Sequence, residues 1–235
     1  MERKSPSRHA SRYLAQAGRR VRPANFDGRE RLLDVAVERF AERGIANTTV
    51  AQIAAAAKVT SAMVHYWFDT REKLLDALVE ERLSPIIRRL WEPAEIEHTN
   101  ALDLVVALLK RMLDITDEIP WLASLWPREI VQEGGLLRER MLSRIPREPH
   151  ALLRQQIIEA QTRGEFNPQI EPELLFISMV GLVMLPQSAG SKGWHRPDAD
   201  IGCYERAKLE RHVTALLMHG LTGMAARNAR SRSAK

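Results

Sequence analysis

From Phe26 onward, apolar residues recur at helical spacing, and no alternation of β-branched residues persists beyond a few positions. Leu32, Leu33, Ala36, Val37 and Phe40 make one stripe of a helix over 28–43, which Gly44 ends. Thr49-Val50-Ala51-Gln52 has the form of a capping box and opens a very short helix to about Ala57. Thr60 caps a third helix that ends near Phe68. Asp69-Thr70 then caps a long one through Leu74, Leu75, Leu78, Val79 and Leu83, in which Pro85 predicts a kink. Beyond Pro93 the pattern predicts helices over 100–119, 120–132, 136–145, 149–163, 172–185 and 204–221. Gly134-Gly135 and Gly164 act as breaks, and 187–202 is expected to be a loop. The expected fold is all-α: a helix-turn-helix head at 26–75 and a larger helical body at 76–223. A basic arm at 1–25 and a basic tail at 224–235 flank them.

Charge changes this picture more than composition does. The chain carries a net +5 over 235 residues. The first 25 residues hold seven bases against the single acid Glu2, and the tail from Met224 adds four more bases. The part between is therefore net acidic, and both basic ends suit a polyanionic partner, although short basic tails can also be merely solvated. The Arg- and Ser-rich start also has the composition of an organellar transit segment, but a DNA-contacting arm explains the same residues. No stretch of 18 apolar residues exists, so no membrane partner is expected. Cys203 is the only cysteine and cannot form an internal disulfide, which fits a reducing, cytoplasmic location. The chain lacks a phosphate-cradling glycine loop, H-E-x-x-H, G-x-S-x-G and any Cys/His cluster of metal spacing. No catalytic residues, cofactor or metal are expected.

The chemistry lies in two short helices joined by Ala57-Lys58-Val59. Short helices are not stable alone in water, so the first helix and the long fourth must supply their core. Ile53, Val59, Val64 and Phe68 are the inward positions. With Val64 inward, Ala62 and Tyr66 point outward, flanked by Met63 and His65. Exposed small and aromatic residues on so short a helix have no packing role and suit a major groove about 12 Å wide.

The composite Thr48-Thr49-Val50, Ile53-Ala54, Val59-Thr60, Val64-His65-Tyr66-Trp67-Phe68 and Arg71-Glu72-Lys73-Leu74-Leu75 resembles the head of the TetR/AcrR regulators over about 29–78. The resemblance implies base contacts from Ser61, Ala62, Met63 and His65, and phosphate contacts from Thr49, Tyr66, Trp67, Arg71 and Lys73. Trp67 can equally close the head's core, and His65 can be a solvated surface histidine. The chain departs from the family with Lys58 in place of a turn glycine, His65 in place of an aromatic and Ala62 in place of glycine or proline. A left-handed Lys58 costs about 1 kcal/mol and can offset that by reaching phosphate. Between Phe26 and Leu75 bases and acids balance, so the arm residues Arg19, Arg20 and Arg22 are further phosphate candidates.

The same resemblance implies a homodimer built on the last two helices, double-stranded DNA as partner, and a small-molecule effector bound among the middle helices. The 172–185 segment is apolar all round and reads as buried on every side. The interface candidates are Leu174, Ile177, Gly181, Leu182 and Leu185 on that helix, and Leu209, Val213, Leu216, Leu217 and Gly220 on the last. Aromatic and methionine side chains suggest a pocket from Met112, Trp121, Leu122, Leu125, Trp126, Phe166, Phe176 and Met179. The expected function is a sequence-specific transcriptional regulator, a repressor released from a palindromic operator by its effector. The rival reading is a helical interaction protein that has lost specific DNA binding.

Overall fold

The computed structural model describes residues 24–92, 100–192 and 205–222. Arg19, Arg20, Arg22, Cys203 and the basic tail lie outside these residues. The described chain is all-α. Helix α1 runs Ala24–Arg43, beginning four residues before the apolar stripe suggests. It ends at Gly44, whose φ of +83° is a left-handed conformation that glycine tolerates. Helices α2 (Val50–Ala57) and α3 (Ser61–Phe68) follow.

Each short helix is started by its own threonine. The Thr49 hydroxyl accepts the Gln52 N–H at 3.2 Å while the Gln52 side chain accepts the Thr49 N–H at 2.8 Å. Thr60 accepts from the Met63 N–H at 3.3 Å. Lys58 ends α2 in the left-handed region, at φ 58° and ψ 40°, so the turn keeps the geometry usually assigned to glycine. Arg31 donates to the Ala57 carbonyl at 3.1 Å and satisfies one of the carbonyls that end leaves open. Leu32, Leu33, Val37 and Phe40 of α1 are buried with Ile53, Val64 and Phe68, forming the head's core.

Helix α4 (Arg71–Leu78), capped by Thr70, passes through a π-helical turn at Val79–Leu83 into α5 (Ser84–Trp91). Pro85 falls in the first turn of α5, where its missing N–H is least disruptive, and the register change just before it takes the place of an abrupt break. The π turn is tied back to α1. Arg82 bridges Glu30 at 2.9 Å and Asp34 at 2.6 Å, and Arg29 makes a two-pronged bond to Glu81 at 2.7 and 2.5 Å. The Arg29 guanidinium also lies 4.9 Å from the centre of the Phe68 ring.

The body is formed by α6 (Ala101–Glu118), α7 (Pro120–Trp126, continued by a π turn at Pro127–Val131), α8 (Arg138–Leu142), α9 (Arg147–Thr162), α10 (Pro172–Lys192) and α11 (Arg206–Leu221). Helix α6 packs on α5, α7, α9, α10 and α11, whereas α7 also packs on α1 and so joins body to head.

Two expectations about these elements are corrected. The segment read as a helix over 136–145 is helical only at Arg138–Leu142, because Leu137 N–H is drawn to the Glu129 carbonyl at 3.1 Å. The loop expected from 187 is helix as far as Lys192, even though Pro186 lies inside it. Gln187 holds the chain there by donating to the Thr116 hydroxyl at 2.7 Å and to the Val183 carbonyl at 3.2 Å.

Helix α10 is not buried on every side. Leu175, Met179, Val180, Val183 and Met184 face the core, while Leu174, Ile177 and Leu185 are exposed.

Candidate nucleic-acid interface and cavity

Val64 and Phe68 anchor α3 in the head's core, and the opposite face is open. Ser61, Ala62, His65 and Tyr66 are exposed and Met63 is half-buried. Tyr66 has 77% of its surface free, the most of any large hydrophobic side chain among the described residues. The His65 ring is held at the helix end: its Nδ1 lies 3.0 Å from the Asp69 carbonyl, which can only accept, so Nδ1 carries the hydrogen and Nε2 is left for a partner.

Trp67 is turned inward toward α1. A Cβ on Gly28 would come within 2.9 Å of its ring, so a larger residue at 28 would push the indole aside. Trp67 is thus part of the wall of the core and only half-exposed.

The cations around this face are mostly engaged. Arg71 is half-buried and donates to the Ile45 carbonyl. Lys73 pairs with Asp69 at 2.7 Å, holding that carboxyl below its ordinary range chiefly through the hydrogen bond and next through charge attraction. The pair is fully exposed, and phosphate can exchange for Asp69 at little cost. Lys58 and Thr49 are exposed at the two ends of α2. Arg71 is the phosphate candidate least available as it stands.

A second site lies in the body. Ile86, Ile87, Leu90 and Trp91 of α5 meet Met112, Ile115 and Thr116 of α6 around a cavity closed by α7, α9 and α10. It is small, about 40 Å³, and opens to solvent on one side. Of the eight pocket candidates, Met112, Leu122, Trp126 and Phe176 line it. Leu125, Phe166 and Met179 do not: they are fully buried core side chains, and Trp121 is half-buried away from the lining. Sequence reasoning missed Trp91 and His150. Their rings meet at 4.4 Å, and Phe176 joins them at 5.1 and 4.5 Å.

The interface candidates also divide. Leu174, Ile177, Leu185 and Leu216 are exposed, and Leu182, Gly181 and Gly220 are intermediate. Leu209, Val213 and Leu217 are buried inside the chain, where α11 packs on α6.

The head so described has clear counterparts among known proteins. The sequence pattern of bacterial regulatory proteins of the tetR family matches residues 32–78, the segment from the first core leucines to the end of α4. Residues 32–78 thus carry the helix-turn-helix pattern of the TetR family. The chain is 38% identical over 64 residues to the HTH-type transcriptional repressor KstR2 of Rhodococcus jostii, covering 27% of this chain and 31% of that one. To the HTH-type nicotine-responsive transcriptional repressor HdnoR of Paenarthrobacter nicotinovorans it is 26% identical, over 50% of this chain and 63% of the other. The matched regions thus span less than two thirds of either relative.

Among solved structures, the TetR fold extends through the body. The ketosteroid transcriptional regulator KstR2 of Mycobacterium tuberculosis superposes with a TM-score of 0.64 at 20% identity, over 83% of this chain and 94% of that one. A transcriptional regulator from Saccharomonospora viridis in complex with choline superposes with a TM-score of 0.58 at 17% identity, over 84% and 98%. The head thus carries the tetR-family pattern, and the body shares the fold of these regulators. Among the described residues, no helix is long and apolar enough to cross a membrane.

Proposed function

We propose that this chain is a repressor that reads a two-fold symmetric operator with α3 and leaves it when a small molecule fills the body cavity. The observation that carries the DNA part is the open face of α3: Ser61, Ala62, His65 and Tyr66 point away from a core that Val64 and Phe68 fully occupy. A side chain as large as Tyr66 is left 77% free there without any internal packing role. The repressor sense is supported by relatives described as repressors, and the ligand sense by the choline complex of a structural neighbour.

Homodimer formation is supported by α10. Leu174, Ile177, Gly181 and Leu185 fall on one stripe facing away from the core, and Leu216 of α11 is exposed as well. Such a stripe is left wet unless another molecule covers it, and a second copy covers it symmetrically. Lys58 and the basic arm are the cations best placed by sequence to neutralise phosphate, since Arg29, Arg31, Arg39, Arg71 and Lys73 all have partners within the chain.

That same pairing favours the rival reading of an interaction protein without DNA binding, and one experiment separates the two. On a duplex-DNA column the regulator is retained at low salt and elutes in a salt-dependent way, whereas an interaction protein passes through.

A further inference from the structure

His65 and Asp69 are joined by two hydrogen bonds that run in opposite directions. The Asp69 N–H donates to the His65 carbonyl at 2.7 Å, and Nδ1 of the His65 ring sits 3.0 Å from the Asp69 carbonyl. Asp69 ends α3 with a left-handed φ of 60°, which leaves its carbonyl within reach of that ring. A carbonyl cannot donate, so the hydrogen of the neutral imidazole is on Nδ1 and Nε2 keeps its lone pair. Among the described residues no hydrogen bond to Nε2 is made. The side chain is exposed, one helical turn from the exposed Ser61 and Ala62 on the open face of α3.

A bare lone pair is selective in a major groove. Adenine N6 and cytosine N4 present hydrogens there, whereas guanine O6 and N7 and thymine O4 only accept. Phosphate oxygens of the backbone only accept as well. Neutral His65 can therefore bond an exocyclic amino group and none of the other groups. It does so without the repulsion from phosphate that an aspartate or glutamate acceptor would bring.

We propose that His65, through Nε2, specifies a base with an exocyclic amino group, adenine or cytosine, at one position of the DNA under α3. This rests on the reading of α3 as the helix that meets DNA. The tautomer itself is tested without DNA.

Nitrogen NMR of the full chain with labelled histidine rings, at mildly alkaline pH, is expected to show a protonated Nδ1 and a bare Nε2 for His65. The signals are assigned by their loss in His65→Phe. A hydrogen on Nε2 instead overturns the proposal.

The base is tested by selecting bound duplexes from a randomised pool with the full chain and with His65→Phe, a flat ring without an acceptor. The native chain selects adenine or cytosine at one position, and the variant loses preference there and nowhere else. In the selected duplex, purine in place of that adenine, or pyrimidinone in place of that cytosine, removes the amino group alone. Native binding weakens about threefold to tenfold, the worth of one neutral hydrogen bond, whereas His65→Phe binds both duplexes alike. His65→Glu, which keeps an acceptor, retains the preference at lower overall affinity.

Guanine or thymine at the position that His65→Phe relaxes, an equal loss on all sequences, or an equal penalty for the missing amino group in both proteins overturns the proposal and leaves the DNA reading standing. If the native chain binds no duplex at all, the DNA reading falls and the proposal with it.

Discussion

The carboxyl of Glu129 accepts the backbone N–H of Ile45 at 3.0 Å, across the junction between body and head. The Ile45 carbonyl at the same time accepts from Arg71, at the start of α4. One residue of the loop after α1 is thus held from the body on one side and from beside α3 on the other. Glu129 lies three residues beyond Trp126, which lines the cavity, so the cavity wall and the grip on Ile45 belong to one continuous segment.

Glu129→Ala leaves the buried Ile45 N–H without a partner. Urea denaturation is expected to show a loss of about 1–3 kcal/mol, with Glu129→Gln, which keeps an acceptor, losing less. Equal stability of Glu129→Ala and the native chain would mean that the contact contributes nothing.

Gly135 is predicted to be intolerant of even one methyl group. A Cβ there would lie 2.4 Å from the Glu129 carbonyl oxygen, which is also the acceptor for Leu137 N–H. Gly135→Ala must displace that backbone and is expected to cost about 1–3 kcal/mol, read as a lower thermal midpoint. Gly134→Ala probes a different constraint, since its φ is +84° but a methyl group there would meet nothing within 4 Å. A wild-type midpoint for Gly135→Ala contradicts the packing described.

The tie between Arg29 and Glu81 predicts a pH dependence. The hydrogen bond from Arg29 holds the Glu81 carboxyl below its ordinary pKa, outweighing the opposing effect of burial, with charge attraction to Arg29 adding to it. A depressed folded-state pKa gives stability that is complete above the ordinary carboxylate range and lost as pH falls through the depressed value. Glu81→Gln is expected to flatten the acid limb of the stability curve. Because both side chains are partly exposed, raising the salt concentration weakens the effect. An unchanged acid limb in Glu81→Gln removes the role assigned to this pair.

On DNA, Tyr66→Ala is expected to weaken binding to specific and scrambled duplexes alike, the mark of a phosphate contact. Substitution of Ser61 or His65 changes sequence preference instead. Competition binding with the two duplexes distinguishes these outcomes, and the reverse assignment would show that the outward face of α3 docks differently.

The basic arm lies outside the described residues, but the head's internal pairing gives it a testable share of the affinity. Each phosphate neutralised contributes about 0.9 to the slope of log K against log salt. Deleting residues 1–22 is expected to lower that slope by several units while the preferred sequence stays the same. An unchanged slope assigns the phosphate contacts to Lys58, Arg71 and Lys73.

What could be read from sequence was what is decided locally. Thr49, Thr60 and Thr70 each bond an N–H three residues ahead, so the starts of α2, α3 and α4 are visible in a short window. The outward position of Tyr66 follows from helix periodicity once Val64 is known to face inward. The cavity was only half legible, because Trp91, His150 and Phe176 come from three separate helices and no periodicity links them. The stripe at Leu209, Val213 and Leu217 shows a related limit: periodicity identifies an apolar face but not what covers it, and within the chain α6 packs against it. Pro186 and the glycines after it marked a loop locally, yet the tertiary bond from Gln187 to Thr116 accompanies a continued helix.

The central claim is that α3 presents a DNA-reading face, and footprinting the full chain on the DNA flanking its own gene tests it most directly. The account predicts a protected, roughly two-fold symmetric site whose protection is weakened by Tyr66→Ala and shifted in sequence preference by His65 substitution. Absence of any protected site, together with no retention on duplex DNA at low salt, would contradict it.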